Sequence, residues 1–321
     1  MKSILLYTGL FAGMFWACGG SGNGDDPTPE PPTPPVEKIE MKISVSGIQA
    51  RGEMSEKFEA GQSVGLFVAN RESAGTKARL VSVSGNQVDN VKNTLESDAK
   101  NWKAASTMYW KDAATTVDAY AYYPWIAAPS GADVTKWPVS VKTDQSQEES
   151  GVASDFLWAN TSGQKAGNDG LLSLSFQHAL SKISLSIKME ESVKDIYTIS
   201  GVKFMGLQTT ATCDLNTGDV TASDGNGNDM IPYYKTADKQ SIELIVVPQT
   251  IAAAKFLQVE VNVGGGEIHT FEYNLTGDLK SERGKQYILE VKVEKELDPL
   301  KTVDIKISDW EPGGNEDVET D

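Results

Sequence analysis

Residues 257–274 read LQVEVNVGGGEIHTFEYN, in which Leu257, Val259, Val261 and Val263 alternate with Gln258, Glu260 and Asn262. An extended chain points successive side chains to opposite faces, so a period of two predicts a strand with one buried and one wet face. Gly264, Gly265 and Gly266 then supply a turn, and a second alternating run follows, with His269 on a strand face. The whole stretch reads as a β-hairpin.

The same period recurs outward from this hairpin. Met41, Ile43 and Val45 alternate with Lys42, Ser44 and Ser46; Tyr287, Leu289, Val291 and Val293 with Glu290, Lys292 and Glu294; Val303, Ile305 and Ile307 with Asp304, Lys306 and Ser308. Residues 242–247 form a continuous apolar-rich run, expected as a more buried strand. Asn216-Thr217-Gly218 reads as a hairpin turn, and Asp224–Asp229 (DGNGND) as a loop. No stretch of helical length carries a 3.6-residue stripe. The chain is therefore expected to be all-β, built as antiparallel β-sandwiches. One place breaks register: Leu172, Leu174 and Phe176 are apolar on even numbers, Ile183, Leu185, Ile187 and Met189 on odd ones. A bulge or bend across residues 178–182 would reconcile the faces. The stretch 160–170 (NTSGQKAGNDG) reads as a linker, which divides the chain into sandwiches at 37–168 and 169–321.

The chain has 321 residues, long enough for two domains, with 39% hydrophobic and 23% charged residues. Lys plus Arg number 29 against 45 Asp plus Glu, a net charge of −16. So acidic a surface repels phosphates and anionic lipid, which excludes nucleic acid as a main partner. Two cysteines, Cys18 and Cys213, support neither a zinc site nor a disulfide framework. Cys213 reads as a small buried hydrophobe. Residues 1–17 read as a signal peptide: Lys2, then an apolar run from Ile4 to Trp16 too short to span a bilayer. Ala17-Cys18 at its end looks like a bacterial lipobox, making Cys18 the lipidated residue; the alternative is a plain secretory signal with a chance cysteine. Residues 18–36 then form a stalk, because DDPTPEPPTPPV (25–36) favours extended polyproline II. At roughly 3.1 Å per residue it would reach about 30–40 Å from the membrane. The lipid would be the sole anchor.

No catalytic site is expected. The two histidines, His178 and His269, have no nucleophile motif nearby, and no metal-protease, phosphate-loop or nucleophile-elbow pattern occurs. Carboxylates are plentiful, as in any acidic chain, and do not by themselves make a glycosidase pair. Asp224–Asp229 resembles a calcium loop superficially, but Asp229 and Lys235 stand where an EF-hand needs Gly and Glu. No metal and no cofactor are predicted. Trp102, Tyr109, Trp110, Tyr120, Tyr122, Tyr123, Trp125, Trp137 and Trp158 crowd the first half. They read as core, or, if exposed, as platforms for sugar rings.

Several landmarks fall in a telling order: FEAGQSVGLF from Phe58, MYW from Met108, AYAYYP from Ala119, DFLWA from Asp155, FQHALSKI from Phe176, VVPQT from Val246, GKQY from Gly284 and ISDWEPG from Ile307. The set resembles the fimbrillin family of Bacteroides and Porphyromonas, the FimA- and Mfa-like pilins, over Phe58–Gly313. The resemblance implies two tandem transthyretin-like sandwiches, exported as a lipoprotein to the cell surface. It implies that an arginine-specific protease removes the first strand and that a strand of another subunit fills the groove. On this chain the cut falls after Arg51. The removable strand carries Met41, Ile43 and Val45, and the donor-strand candidates are Val303, Ile305 and Ile307. The alternatives are that Arg51 is an ordinary surface charge and that 303–307 is a normal final strand. Three functions compete: a fimbrial subunit (shaft, tip or anchor) that polymerises with other subunits in adhesion, a monomeric surface lipoprotein binding glycans or host proteins, and a surface hydrolase.

Overall fold

The hairpin read at 257–274 forms, and its two strands pair from Lys255↔Asn274 to Asn262↔Ile268 around a turn in which Gly264, Gly265 and Gly266 all have positive φ. That conformation is nearly free only for glycine. The structure, a computed structural model, describes residues 38–49, 57–73, 75–295 and 301–310.

The first half contains β1 (Glu40–Gln49), β2 (Ser63–Asn70), β3 (Val88–Leu95), β4 (Trp102–Ala104), β5 (Met108–Tyr109), β6 (Val117–Tyr123), β7 (Trp137–Ser140), the short helix α1 (Glu148–Ser154), β8 (Leu157–Gln164) and β9 (Leu171–His178). The second contains β10 (Ser181–Met189), β11 (Thr198–Leu207), β12 (Thr210–Asp214), β13 (Asp219–Ala222), β14 (Asn228–Met230), β15 (Tyr233–Tyr234), β16 (Ser241–Val246), β17 (Thr250–Ile251), β18 (Lys255–Asn262), β19 (Ile268–Asn274), β20 (Leu279–Lys280), β21 (Lys285–Val293) and β22 (Lys301–Asp309). The described residues are all-β apart from α1.

The largest sheet has eight strands in the order β4-β3-β2-β6-β8-β9-β1-β5. Its two end strands, β4 and β5, are separated by residues 105–107 alone, so the sheet must curl back on itself. Leu66, Val68, Ala119, Leu172, Leu174 and Phe176 fill the inside of the curl. The other face is covered too: Phe67 and Tyr122 meet Trp137 at ring-centroid distances of 5.7 and 5.1 Å. Burial on both faces explains why β2 and β6 read as continuous apolar runs rather than alternating ones.

In the second half a five-stranded sheet (β15-β16-β10-β21-β22) and a four-stranded sheet (β14-β11-β18-β19) contribute to one core. Ile183, Leu185 and Leu289 come from the first sheet, Phe204, Val259 and Val261 from the second. Most pairings are antiparallel, but β1 with β9 and β10 with β21 run parallel. Parallel neighbours need long crossovers, and here whole sheets intervene between them.

The register break has a simple origin. β9 ends in the eight-stranded sheet at His178 and β10 starts the five-stranded sheet at Ser181, so the chain bends between two sheets and the buried face changes parity. Strand β9 therefore belongs with the first sheet, although it lies beyond a boundary at 168/169. The halves also interlock: β7 pairs with β12, setting Trp137 opposite Cys213. The described residues from Lys38 onward fall in one compact unit.

Candidate functional site

Strand β1 lies in a made-to-measure seat. Its alternation turns Met41 and Ile43 inward, 2% and 6% exposed, with Val45 half-buried. It runs along β9 from Lys42↔Leu171 to Gln49↔Gln177, with an irregularity between Val45 and Ile48. Beside it, as ladder partners on β9, stand Leu172, Leu174 and Phe176, all buried, and Phe58 meets Phe176 edge-on at 5.2 Å. The start of the strand is pinned twice, and a third bond braces the pins. The Trp110 main-chain N–H donates to the Ile39 carbonyl at 2.9 Å and the Lys42 N–H to the Gly170 carbonyl at 3.1 Å. The Trp110 indole N–H donates to the same Gly170 carbonyl at 2.9 Å. Gly170 has φ +66°, and a Cβ there would run into the Glu40 carbonyl oxygen. Only glycine lets β1 come this close.

Strand β22 is held differently. It is an edge strand, paired antiparallel with β21 so that Ile307 stands opposite Tyr287 and Ile305 opposite Leu289. Tyr287 and Leu289 are buried, yet Ile305 is only half-buried and Ile307 is 60% exposed. The apolar side of β22 is thus poorly covered. The exception is Trp310 just beyond it, 4% exposed. Its N–H donates to the Gly284 carbonyl at 2.7 Å, and its ring stacks on the His178 imidazole at 3.7 Å and 11°. The Lys182 ammonium lies 5.4 Å from the same ring. Asp155 Oδ1 holds His178 Nδ1 at 2.9 Å, and Glu243 Oε1 lies 3.5 Å from Lys182 Nζ and 3.4 Å from Lys235 Nζ. Burial pushes the Lys182 pKa down, with Glu243 pulling it back.

Cys18, the stalk at 25–36 and Arg51 lie outside the described residues, as does the side chain of Val303. The chain has four arginines, Arg51, Arg71, Arg79 and Arg283. Of the three described ones, Arg71 and Arg283 are engaged. Arg71 makes two bonds to the Asp118 carboxylate, at 2.9 and 2.7 Å. Arg283 donates to the Thr217 carbonyl at 2.9 Å and lies 4.7 Å from the Trp158 ring. Arg79 is exposed beside Asp214, but the next residue, Leu80, is buried and its N–H donates to Asn216 Oδ1.

Of the nine tyrosines and tryptophans from Trp102 to Trp158, Tyr109 alone is exposed; Trp102, Trp125 and Trp158 are half-buried and the rest are core. Cys213 is buried, and burial pushes its thiol up to about 12. His269 pairs with Glu267 at 3.0 Å. Among the described residues no three His, Cys, Asp or Glu side chains gather as a metal site, and no helix is long and apolar enough to cross a membrane.

The part Gly170 plays in seating β1 and the gathering of Asp155, His178, Lys182 and Glu243 around Trp310 had no signature in the sequence. Asp155, His178, Lys182, Glu243 and Trp310 are spread over half the chain, and only folding brings them together.

Comparison with known proteins adds three findings. The fimbrillin-like family pattern matches residues 50–310. A Bacteroides uniformis protein named "Putative fimbrium subunit Fim1C" is 24% identical over 289 residues, 88% of each chain. The fold is similar to a crystal structure of a "putative cell adhesion protein" from Bacteroides uniformis (TM-score 0.61, 22% identity, covering 87% of this chain and 100% of that one) and to a fimbrial protein from Bacteroides vulgatus (TM-score 0.52, 13% identity, 85% and 100%).

Proposed function

Since the chain belongs to the fimbrillin-like family, we propose that it is a structural subunit of a cell-surface fimbria, joined to its neighbours by exchange of a strand. The observation that carries this reading is the contrast between two strands. Strand β1 fills an apolar place beside β9, with Ile43 opposite Leu172 and Val45 opposite Leu174. Strand β22, at a sheet edge, leaves Ile307 exposed. Removing β1 would leave apolar side chains and ladder donors of β9 unmet, at a cost in free energy. A strand with alternating apolar residues, such as Val303, Ile305 and Ile307, restores both ladder and core. In this reading Cys18 carries the lipid that holds the subunit on the outer membrane, and cleavage after Arg51 frees β1. The engaged state of Arg71 and Arg283, and the buried residue that follows the exposed Arg79, favour Arg51 as the target. We place the division between the two sandwiches at residues 179–180. The subunit has no enzymatic role; its partners are other subunits and an adhesion ligand. The glycan-binding alternative has less to stand on, because the aromatics it needs are mostly buried.

The test starts from protein produced from Gly19 onward, without lipid. A trypsin-like protease is added, the new N-terminus is mapped, and the product is run unboiled on a denaturing gel. A cut after Arg51 followed by a heat-sensitive ladder is expected. An uncut, monomeric protein would sink the shaft-subunit reading and favour an anchor or a monomeric lipoprotein.

A further inference from the structure

Strands β1 and β22 lie in different sheets, and β9 stands between them. From Leu171 to Gln177, β9 takes its ladder from β1, whereas β8 pairs with it at Gln177 and His178. Strand β9 ends on His178, and the His178 imidazole is the surface on which Trp310 lies flat, 3.7 Å away. Lys182 on β10 faces the same ring, and the Gly284 carbonyl takes the Trp310 N–H. The indole thus sits in a socket, one wall of which is the last residue of β9. With Ile307 exposed and Ile305 half-buried, this ring is the deepest described anchor of the C-terminal strand. Asp155 fixes the His178 wall from the end of α1, and Glu243 fixes Lys182 from β16. Among the described residues no acceptor meets the Trp310 indole N–H, so stacking and burial hold the ring.

We propose that this socket is a latch that couples the two strands. While β1 lies on β9, His178 is rigid and Trp310 stays in place. When β1 leaves, β9 loses most of its ladder, the His178 wall loosens, and β22 is released. Strand β22 is then held by its ladder to β21 alone, and an edge strand with few buried contacts opens locally at a lower free energy than a packed one. The inference rests on the strand-exchange reading and adds an order of events: a subunit offers its C-terminal strand after its own groove has opened. Coupling of this kind is reciprocal, so loosening Trp310 must also loosen β1.

Hydrogen exchange on the full-length protein tests both directions without any protease. In Met41→Asp/Ile43→Asp, charges drive β1 off its seat; exchange in 301–310 is expected to rise at least tenfold, with 241–246 of β16 unchanged as the folding control. In Trp310→Ala, exchange in 301–310 rises and exchange in 40–49 rises with it; Trp310→Phe, which keeps a ring to stack, restores most of the protection of both. If Trp310→Ala loosens 301–310 but leaves 40–49 as protected as before, the latch is refuted. It is equally refuted if 301–310 stays protected when 40–49 exchanges freely. Polymer is scored separately on protease-treated samples. Coupled exchange without a ladder upholds the latch and removes donor-strand exchange; a ladder without coupled exchange does the reverse.

Discussion

Gly170 shows how much one residue can decide. Its positive φ and the carbonyl of Glu40 at the place of a Cβ leave no room for a side chain. Gly170→Ala is expected to cost about 1–3 kcal/mol in urea unfolding, with the loss of exchange protection concentrated in 40–49. Asp118 is a second such residue. Burial alone would raise its pKa, but the Arg71 guanidinium and the N–H groups of Ala78 and Gly163 outweigh burial and hold it below the usual carboxylate range. A lowered folded pKa means that the stabilisation is present above the unfolded value of ~3.9 and is lost as pH falls through the folded one. Asp118→Asn should therefore lower the melting temperature by several degrees at pH 7 and converge with the wild type in the acid range, as followed by circular dichroism. Cys213 runs the other way. Its pKa of about 12 keeps the thiol protonated at pH 8, so a thiol reagent should leave it unmodified until the protein is unfolded.

At the scale of elements, the period of two was a sound guide wherever one face of a strand meets solvent. It located β1, β18, β21 and β22, and the three glycines placed the 264–266 turn. It was blind where both faces are buried, as in β2 and β6, since nothing alternates there. It could show that something happens between Phe176 and Ile183 but not that the chain changes sheets, because the parity of a buried face carries no information about which sheet it faces. Pairings such as β7 with β12, and the parallel seat of β1 on β9, depend on contacts between distant segments that no local pattern encodes. The bond between β10 and β16 offers a test of such a contact. Lys182→Met is expected to cost about 3–5 kcal/mol in urea unfolding, because Glu243 stays buried with part of its countercharge gone. The double variant Lys182→Met/Glu243→Leu should recover much of that loss.

At the scale of the whole molecule, charge and arginine placement dominate. Copies with a net charge of −16 repel one another, so the yield of strand-exchanged polymer after cleavage should rise with salt between low and physiological ionic strength, read as ladder intensity on unboiled gels. The acidic composition and the all-β class were legible from the residues; the contact of Trp158 with Arg283 and the turn at 214–218 was not, because its parts come from separate sheets. The bidentate clasp of Asp118 on Arg71 has a consequence beyond holding β2 against β6. An arginine drawn into such a grip is a poor target for any arginine-specific protease. Loss of the grip would turn this position into a cutting place, and a chain damaged there would be cleared as pieces instead of lingering as a misfolded whole.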